Sequence, residues 1–327
     1  MSTPPRTSFD IVVIGAGPSG LYAAYYAGFR GLSVAVVDAL PEAGGQIAAM
    51  YPEKMIYDVA GFPAVRGQEL VDRLFEQASR WDTTFFLGTS ATGLAETADS
   101  VEITTDSGDV ITAGAVIISG GIGNFIPREL PTGSDYVDRG LRYFVPRLAD
   151  LAGHDVVVVG GGDSALDWAL SLEHVAKSVT VVHRRPQFRA HERTVEQVLA
   201  SDVIDVKTPY EVTKVSGDPV LEEVVIASSA GDEIHLPAQS LVAALGFIAD
   251  LGPIEAWGLE LRKRHILVDR TMRTNLKRVY AAGDIADFDG KVKLISIGFG
   301  EAATAVNHIA HLLDPSMSTT PGHSSDL

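Results

Sequence analysis

The chain has 327 residues, enough for about two domains with separate cores. Its 26 basic and 42 acidic residues give a net charge of −16, which argues against nucleic acid or an anionic membrane as the main partner. The sequence contains no cysteine, so this chain cannot form disulfides, perform dithiol chemistry or bind an iron–sulfur cluster through thiolates. Redox chemistry would therefore need an organic cofactor. Residues 1–8 lack the pattern of a signal peptide, and we expect a cytoplasmic protein.

The first element is a predicted strand at residues 9–14 that leads into a glycine-rich turn. Gly15, Gly17 and Gly20 have the spacing of a dinucleotide-binding fingerprint. In such a turn the first glycine allows the tight bend, the second lets the backbone approach a pyrophosphate, and the third allows close packing. A second apolar run stops at Asp38, 23 residues after Gly15. Because a carboxylate there accepts ribose hydroxyl hydrogen bonds and repels a 2′-phosphate, this unit is predicted to bind FAD or NAD.

The following segment predicts one helix and several strands. Apolar side chains recur at helical spacing over residues 67–81, and short strands are expected at 101–105, 110–112 and 115–119. The last of these ends in the glycine-rich residues 120–124, where we expect the chain to leave the first domain.

A second copy of the same unit begins near residue 155. Gly160, Gly162 and the small residue Ala165 occupy the three fingerprint positions. The residue 23 positions after Gly160 is basic here and begins the run His183, Arg184 and Arg185. Guanidinium groups favour a 2′-phosphate, so this copy is predicted to bind NADP. The alternative is an architectural duplicate that binds nothing, but this would leave the arginine pair without a role.

The remaining pattern predicts an inserted domain. A helix is expected at 191–200, return strands at 240–244 and 278–282, and a terminal helix at about 299–313. The predicted fold is α/β with two Rossmann-like domains, the NADP domain being inserted in the FAD domain. The expected division is 1–120 and 246–327 for the FAD domain and 121–245 for the NADP domain. Glycine clusters at both crossings suggest a two-stranded link that could act as a hinge.

Two fingerprints, the later motif YAAGD at 280–284 and the insertion order resemble the two-dinucleotide flavoproteins. The length resembles low-molecular-weight thioredoxin reductase, but residues 141–145, near where its cysteine pair would stand, contain no thiol. Further specific strings are GGQ at 44–46, YPEK at 51–54, YDVAGFP at 57–63, FRAHE at 188–192, GFGEA at 298–302 and PGHS at 321–324. With these strings, nearly the whole chain resembles the bacterial thioredoxin-reductase-like ferredoxin–NADP+ reductase family.

The resemblance implies roles for individual residues. Asp38 would bind the FAD ribose and Asp284 the ribityl chain, while Tyr51 would stack on one flavin face and His323 over the other. The expected FAD contacts are Gly15, Gly17, Pro18, Ser19, Gly20, Asp38, Gly45, Gln46, Tyr51, Ala91, Phe125, Asp284, His323 and Ser324. The expected NADP contacts are Gly160, Gly162, Asp163, Ser164, Ala165, His183, Arg184, Arg185 and Arg189. For Arg189, ordinary surface charge is an equally good interpretation. We expect no catalytic side chain and no metal site.

The function implied is hydride transfer from NADPH to FAD, followed by single-electron transfer to ferredoxin or flavodoxin, in a homodimer. One alternative is an NADPH oxidase or quinone-type diaphorase on the same scaffold, and another is a non-catalytic sensor of FAD and NADP(H). Residues 262–293 hold nine basic and four acidic residues, a local excess of +5. This segment is a candidate docking patch for an acidic carrier, and the alternative is charge scattered over unrelated faces.

Overall fold

The computed structural model describes residues 7–121 and 124–321, without the side chains of residues 124–126 and 247–249. The chain forms two compact units. The first unit comprises Met1–Asn124 and Ala249–Leu327, and the second comprises Phe125–Ile248. The sequence-based division at residues 120 and 245 stays a prediction.

The α-helices are α1 Pro18–Phe29, α2 Gln46–Met50, α3 Gly67–Ala78, α4 Asp163–Leu172, α5 Glu192–Ala200 and α6 Ile295–Leu313. Single turns of 3-10 helix occupy Ser79–Trp81, Ser134–Tyr136, Leu148–Leu151 and Gly252–Ala256. The strands are β1 Ser8–Ile14, β2 Val34–Asp38, β3 Met55–Ile56, β4 Val65–Arg66, β5 Thr84–Leu87, β6 Ala91–Glu96, β7 Val101–Thr105, β8 Val110–Ile118, β9 Asn124–Pro127, β10 Leu141–Arg142, β11 Asp155–Val159, β12 Ser178–Val182, β13 Ile204–Lys207, β14 Glu211–Ser216, β15 Glu223–Ala227, β16 Glu233–Pro237, β17 Ser240–Ala243, β18 Phe247–Asp250, β19 Leu261–Arg262, β20 His265–Leu267, β21 Val279–Ala281 and β22 Ala286–Asp287.

The first unit is built on a seven-stranded sheet of order β5-β2-β1-β8-β7-β6, with β21 also pairing with β8. β1, β2, β5, β8 and β21 are parallel, whereas β7 runs antiparallel to both β6 and β8. The carboxyl ends of β1, β2 and β21 therefore meet at one edge. Ligands bind beyond this edge in doubly wound α/β folds.

Both faces of this sheet are buried. Ile11 and Val13 of β1 pack in the cluster that includes α1, α3 and α6. The intervening Val12 and Ile14 pack on the opposite face, in a cluster that includes Ile103. Because successive strand residues point to opposite faces, this arrangement explains why β1 is apolar at every position from Ile11 to Ile14.

The second unit contains a five-stranded parallel sheet of order β10-β17-β11-β12-β13. An antiparallel three-stranded sheet, β14-β15-β16, adds to it. At the two crossings between units, β9 and β18 pair as a two-stranded sheet. This is the predicted link, whereas its action as a hinge stays a prediction.

The predicted elements agree with the structure except in two places. The strands expected at 110–112 and 115–119 are one strand, β8, which pairs with β7 at its start and with β21 at its end. The terminal helix begins at Ile295, four residues earlier than predicted. No element was predicted for 201–239, where β13–β16 form, or for α2 and several short strands such as β5 and β6. Among the described residues, no helix is both long and apolar enough to cross a membrane.

Candidate nucleotide-binding sites

The first glycine-rich turn has the packing that its fingerprint predicts. Gly15 has a φ of +107°, which L side chains rarely adopt. A β-carbon at Gly20 would lie 1.9 Å from the Gly15 carbonyl oxygen, so only glycine fits there. A β-carbon at Gly17, by contrast, would have no neighbour within 4 Å among the described residues. The turn is thus closed on its packed side and open at the position where a pyrophosphate is expected.

Asp38, the last residue of β2, faces this turn. Its Oδ2 accepts a hydrogen bond from the Ala16 N–H at 2.5 Å, and its Oδ1 accepts one from the Leu40 N–H at 2.8 Å. Burial raises the pKa of Asp38, and the two N–H groups oppose that rise. The Thr89 N–H donates to the Asp38 carbonyl oxygen at 2.9 Å. This bond attaches the segment before Ala91 to the backbone of Asp38.

The loop before α2 completes one side of the same site. The Gly44 N–H donates to the Ala16 carbonyl oxygen at 2.8 Å. A β-carbon at Gly45 would lie 3.0 Å from Cα of Gly17. Gln46, the first residue of α2, therefore follows directly after the closest approach of the two turns.

Tyr51, immediately after α2, lies near Asp284. Burial raises the pKa of Tyr51 to about 12, and the negative charges of Asp284 and Asp58 act in the same direction. The phenol is therefore neutral at physiological pH. The Lys54 Nζ lies 5.6 Å from the centre of the Tyr51 ring.

Ser19, in the first turn of α1, joins the Asp284 loop to α6. A β-carbon at Gly283 would lie 2.8 Å from Ser19 Oγ, and one at Gly298 only 2.2 Å from it. Both positions therefore need glycine while Ser19 keeps its place. The structure thus brings together the first fingerprint, Asp38, Gly45, Tyr51 and Asp284, residues that are far apart in sequence.

Three predicted FAD contacts cannot be placed. The Phe125 side chain, His323 and Ser324 lie outside the described part of the chain.

The second glycine-rich turn repeats the first. A β-carbon at Gly160 would lie 2.4 Å from the Ala244 carbonyl oxygen and 2.8 Å from the Ala165 β-carbon. One at Gly162 would meet nothing within 4 Å in the described part of the structure. Asp163 and Ser164 begin α4 beside this open position and are exposed.

His183 occupies in this unit the place of Asp38 in the other. A β-carbon at Gly161 would lie 2.3 Å from its ring, which also stacks on Phe188 with 5.4 Å between ring centres. Burial lowers the pKa of His183, and the nearby positive charges of three arginines, Arg184, Arg185 and Arg189, lower it further. The imidazole is therefore neutral at pH 7.

The segment after His183 folds back towards the turn. The Arg189 N–H donates to the Gly161 carbonyl oxygen at 2.7 Å, and the His191 N–H donates to Asp163 Oδ1 at 2.8 Å. Arg184, Arg185 and Arg189 are exposed. No carboxylate among the described residues pairs with any of the three. Three unpaired guanidinium groups therefore lie around His183.

The structure corrects the prediction of a basic docking patch at two positions. Lys291 has a side chain only 4% exposed and pairs with Glu301. Arg278 is also buried, donating to the carbonyl oxygens of Ala98 and Gly114 at 3.0 and 2.9 Å. Neither cation is available to a partner. In addition, Arg262 is partly neutralised by Asp287 at 2.7 Å.

Sequence reasoning missed Lys291 and Glu301 as residues of the nucleotide-binding region. Both contact Gly283, directly before Asp284. The one available signal was a glutamate within the otherwise apolar start of α6. Across the described ranges, no group of three or more histidine, aspartate or glutamate residues could hold a metal ion.

The comparisons with known proteins agree with this arrangement. The profile of the family "pyridine nucleotide-disulphide oxidoreductase" matches residues 9–307. A ferredoxin–NADP reductase of Frankia casuarinae is 57% identical over 317 residues, covering 97% of this chain and 98% of the relative. One of a Nocardioides strain is 57% identical over 330 residues, covering 100% and 99%.

Among solved structures, thioredoxin reductase of T. acidophilum is similar, with a TM-score of 0.81 and 26% identity over 93% of this chain and 98% of that one. These similarities confirm the predicted fold of two Rossmann-like domains. The chain therefore belongs to the pyridine nucleotide-disulphide oxidoreductase family and, within it, to the ferredoxin–NADP reductases.

Proposed function

We propose that this chain is an FAD-dependent ferredoxin–NADP reductase, which carries electrons between NADP(H) and ferredoxin. The observation that carries the proposal is the difference between two otherwise matched nucleotide turns. The first ends in the carboxylate of Asp38, and the second ends in neutral His183 among three arginines that pair with no carboxylate in the described part of the chain. The names of the full-length relatives supply the electron acceptor.

The first site fits the adenosine and pyrophosphate of FAD. The open space at Gly17 lets a pyrophosphate approach the backbone, and the N-terminus of α1 carries no acidic residue in its first turn. Each carboxylate oxygen of Asp38 accepts one backbone N–H and keeps a lone pair that could accept a ribose hydroxyl. Ala91 would contact the adenine. Gln46, Tyr51 and Asp284 would line the flavin and its ribityl chain.

The second site fits NADP(H). The pyrophosphate would lie at Gly162 and the N-terminus of α4, whose Asp163 already accepts the His191 N–H. A 2′-phosphate beyond His183 would meet Arg184 and Arg185, and Arg189 if its side chain turns inward. Guanidinium groups bind phosphate through paired hydrogen bonds.

In the mechanism the protein binds the flavin, orients it and shields it from solvent. The bound flavin supplies the conversion between a two-electron and a one-electron donor. Neutral Tyr51 offers an uncharged ring for stacking, while Asp284 fixes the ribityl side. This chemistry needs no protein nucleophile or general acid.

We further propose that the carrier docks at the hairpin surface, defined here as Lys263, Arg264 and Lys293. Lys263 and Arg264 form the turn between β19 and β20, with φ values of +49° and +68°. Such turns usually contain asparagine or glycine, so two long cationic residues there imply a tolerated strain. Lys293 joins them, because its Nζ contacts Nε2 of His265 at 2.5 Å. An acidic ferredoxin or flavodoxin would complement these charges.

We propose, finally, that the enzyme works in the cytoplasm as a homodimer in which the C-terminal tail of one chain covers the flavin of the other. The dimer and the role of its tail rest on the family resemblance of residues 321–324.

The proposed function is tested with the purified holo-protein and NADPH. Reduction of ferredoxin, ferricyanide and quinones is measured side by side. Efficient ferredoxin reduction supports the proposal. A preference for oxygen or quinone indicates an oxidase or diaphorase, and a bound flavin that NADPH does not bleach indicates a sensor.

A further inference from the structure

Lys291 and Glu301 form an ion pair in the interior of the first unit. Their side chains are only 4% and 5% exposed, and the Lys291 ammonium donates to Oε1 of Glu301. Removing two charges from water is costly, and apolar replacements of buried pairs often preserve or raise stability. Stability alone is therefore a weak reason for such a pair. Its other hydrogen bonds indicate what it holds.

Both members of the pair bind Gly283. Oε2 of Glu301 accepts the Gly283 N–H at 2.8 Å, and Nζ of Lys291 donates to the Gly283 carbonyl oxygen at 3.0 Å. Gly283 has a φ of +80°, in the left-handed region, and lies against Ser19. The backbone of this one residue is therefore fixed on both of its polar groups.

These two hydrogen bonds to Gly283 determine the orientation of the peptide that leads to Asp284. In a trans peptide the carbonyl and the following N–H point in opposite directions. Because Lys291 holds the Gly283 carbonyl, the Asp284 N–H points away from the ion pair. Asp284 follows this fixed peptide, and its negative charge helps to raise the pKa of Tyr51.

We propose that Lys291 and Glu301 are positioning residues for FAD, which set the Gly283–Asp284 peptide in the orientation that lets Asp284 contact the cofactor. This inference rests on the proposed function. The pair acts through Asp284 and Gly283, and neither side chain needs to reach the flavin.

The decisive variant is Lys291→Met combined with Glu301→Gln, which removes both charges and leaves no unpaired buried ion. The thermal midpoint of the protein, the rate of FAD release and the visible circular dichroism of the bound flavin are measured. We expect a thermal midpoint within about 4 °C of the parent. FAD release should be at least about tenfold faster, with an altered flavin circular dichroism band.

The matched control is Arg262→Met with Asp287→Asn, which removes a partly exposed ion pair between β19 and β22. It should change neither FAD release nor the flavin spectrum. In an Asp284→Ala background, the Lys291 and Glu301 changes should accelerate FAD release by less than about twofold, because the side chain through which the pair acts on FAD is absent.

Two results would overturn the inference. One is a folded double variant that releases FAD at the parent rate, and the other is a double variant that does not fold, which would assign the pair to stability. A parent protein that binds no FAD would overturn the proposed function as well. These outcomes are distinguishable, because the parent is measured first.

Discussion

The carboxylate of Asp38 reaches back to the glycine-rich turn and accepts the Ala16 N–H at 2.5 Å. This bond joins the two ends of the first nucleotide unit, at the carboxyl edge of β1 and β2. The carboxylate therefore lies beside the turn, whose backbone stays open at Gly17.

The second unit repeats the backbone hydrogen bond between the glycine-rich turn and the end of the second strand, but a different side chain follows it. The Gly15 N–H donates to the Val37 carbonyl at 2.8 Å, and the Gly160 N–H donates to the Val182 carbonyl at 3.0 Å. The next residue along is Asp38 in one case and His183 in the other. We propose that this difference, together with Arg184 and Arg185, changes the preferred sugar from a free ribose to a phosphorylated one.

A first prediction separates packing from binding at the FAD turn. Gly17→Ala should keep or slightly raise thermal stability, because φ is −72° and the added methyl group has open space. It should weaken FAD binding, since the methyl group occupies the pyrophosphate approach. Gly20→Ala should instead destabilise the fold by about 1–3 kcal/mol or more. Thermal unfolding and FAD titration of both variants check this, and equal effects would contradict it.

A second prediction concerns the choice of nicotinamide cofactor. Arg184→Ala with Arg185→Ala should lower kcat/KM for NADPH by about 100-fold or more, because each charge-assisted contact contributes about 1.5–3 kcal/mol. The value for NADH should change little. Arg147→Ala, an exposed arginine of the same unit, is the control. If both cofactors lose activity equally, the arginines do not bind the 2′-phosphate.

Much of the two nucleotide-binding sites was predictable from the sequence, because turns and strand ends are local features. The fingerprint glycines, Asp38 and the arginines lie at fixed offsets within one βαβ unit, so their spacing alone places them. The role of Lys291 was not predictable in this way. The charge of Lys291 suggested a surface residue. Its partner Glu301 lies ten positions further along the chain, on α6, and the sequence pattern does not show that the two side chains meet.

The sheet β14–β16 was missed for a related reason. Its strands alternate buried and exposed residues only over short stretches, and β14 is interrupted by a register shift between Val212 and Lys214. Pairing between distant strands, which the sequence pattern does not encode locally, stabilises such elements.

A third prediction follows from the lowered pKa of His183. The unfolded histidine titrates near pH 6.5, whereas the folded one resists protonation, so the unfolded chain binds more protons just below that pH. Stability should be level above about pH 6.5 and decrease as the pH falls through the window below it. His183→Gln should show a smaller decrease between pH 7 and 5. Thermal midpoints across this range test it, and parallel curves for the two proteins would exclude His183 as a source.

A fourth prediction tests the hairpin surface. Lys263→Glu with Lys293→Glu should raise the KM for ferredoxin several-fold at low salt and leave ferricyanide reduction nearly unchanged. The difference should shrink above about 0.1 M salt, where exposed charges are screened over about 10 Å. Arg147→Glu with Lys214→Glu, a charge reversal on exposed residues of the second unit, is the matched control. Equal loss with both acceptors would show that the hairpin serves the fold.

The last prediction concerns the C-terminal tail. Arg30 Nη2 donates to the Ser318 carbonyl oxygen at 2.9 Å, so the chain is still attached to the first unit at that point. Truncation after Thr320 keeps this anchor and removes only residues 321–327, including His323. If that segment covers a flavin in the dimer, its loss should preserve FAD and NADPH binding but change the rate of hydride transfer and increase oxygen reactivity. His323→Ala should have the same effect more mildly, because it removes one ring and leaves the backbone. Stopped-flow reduction by NADPH and oxygen consumption measure both effects. A truncated enzyme with unchanged hydride transfer, flavin spectrum and oxidase activity would show that the tail does not reach the cofactor.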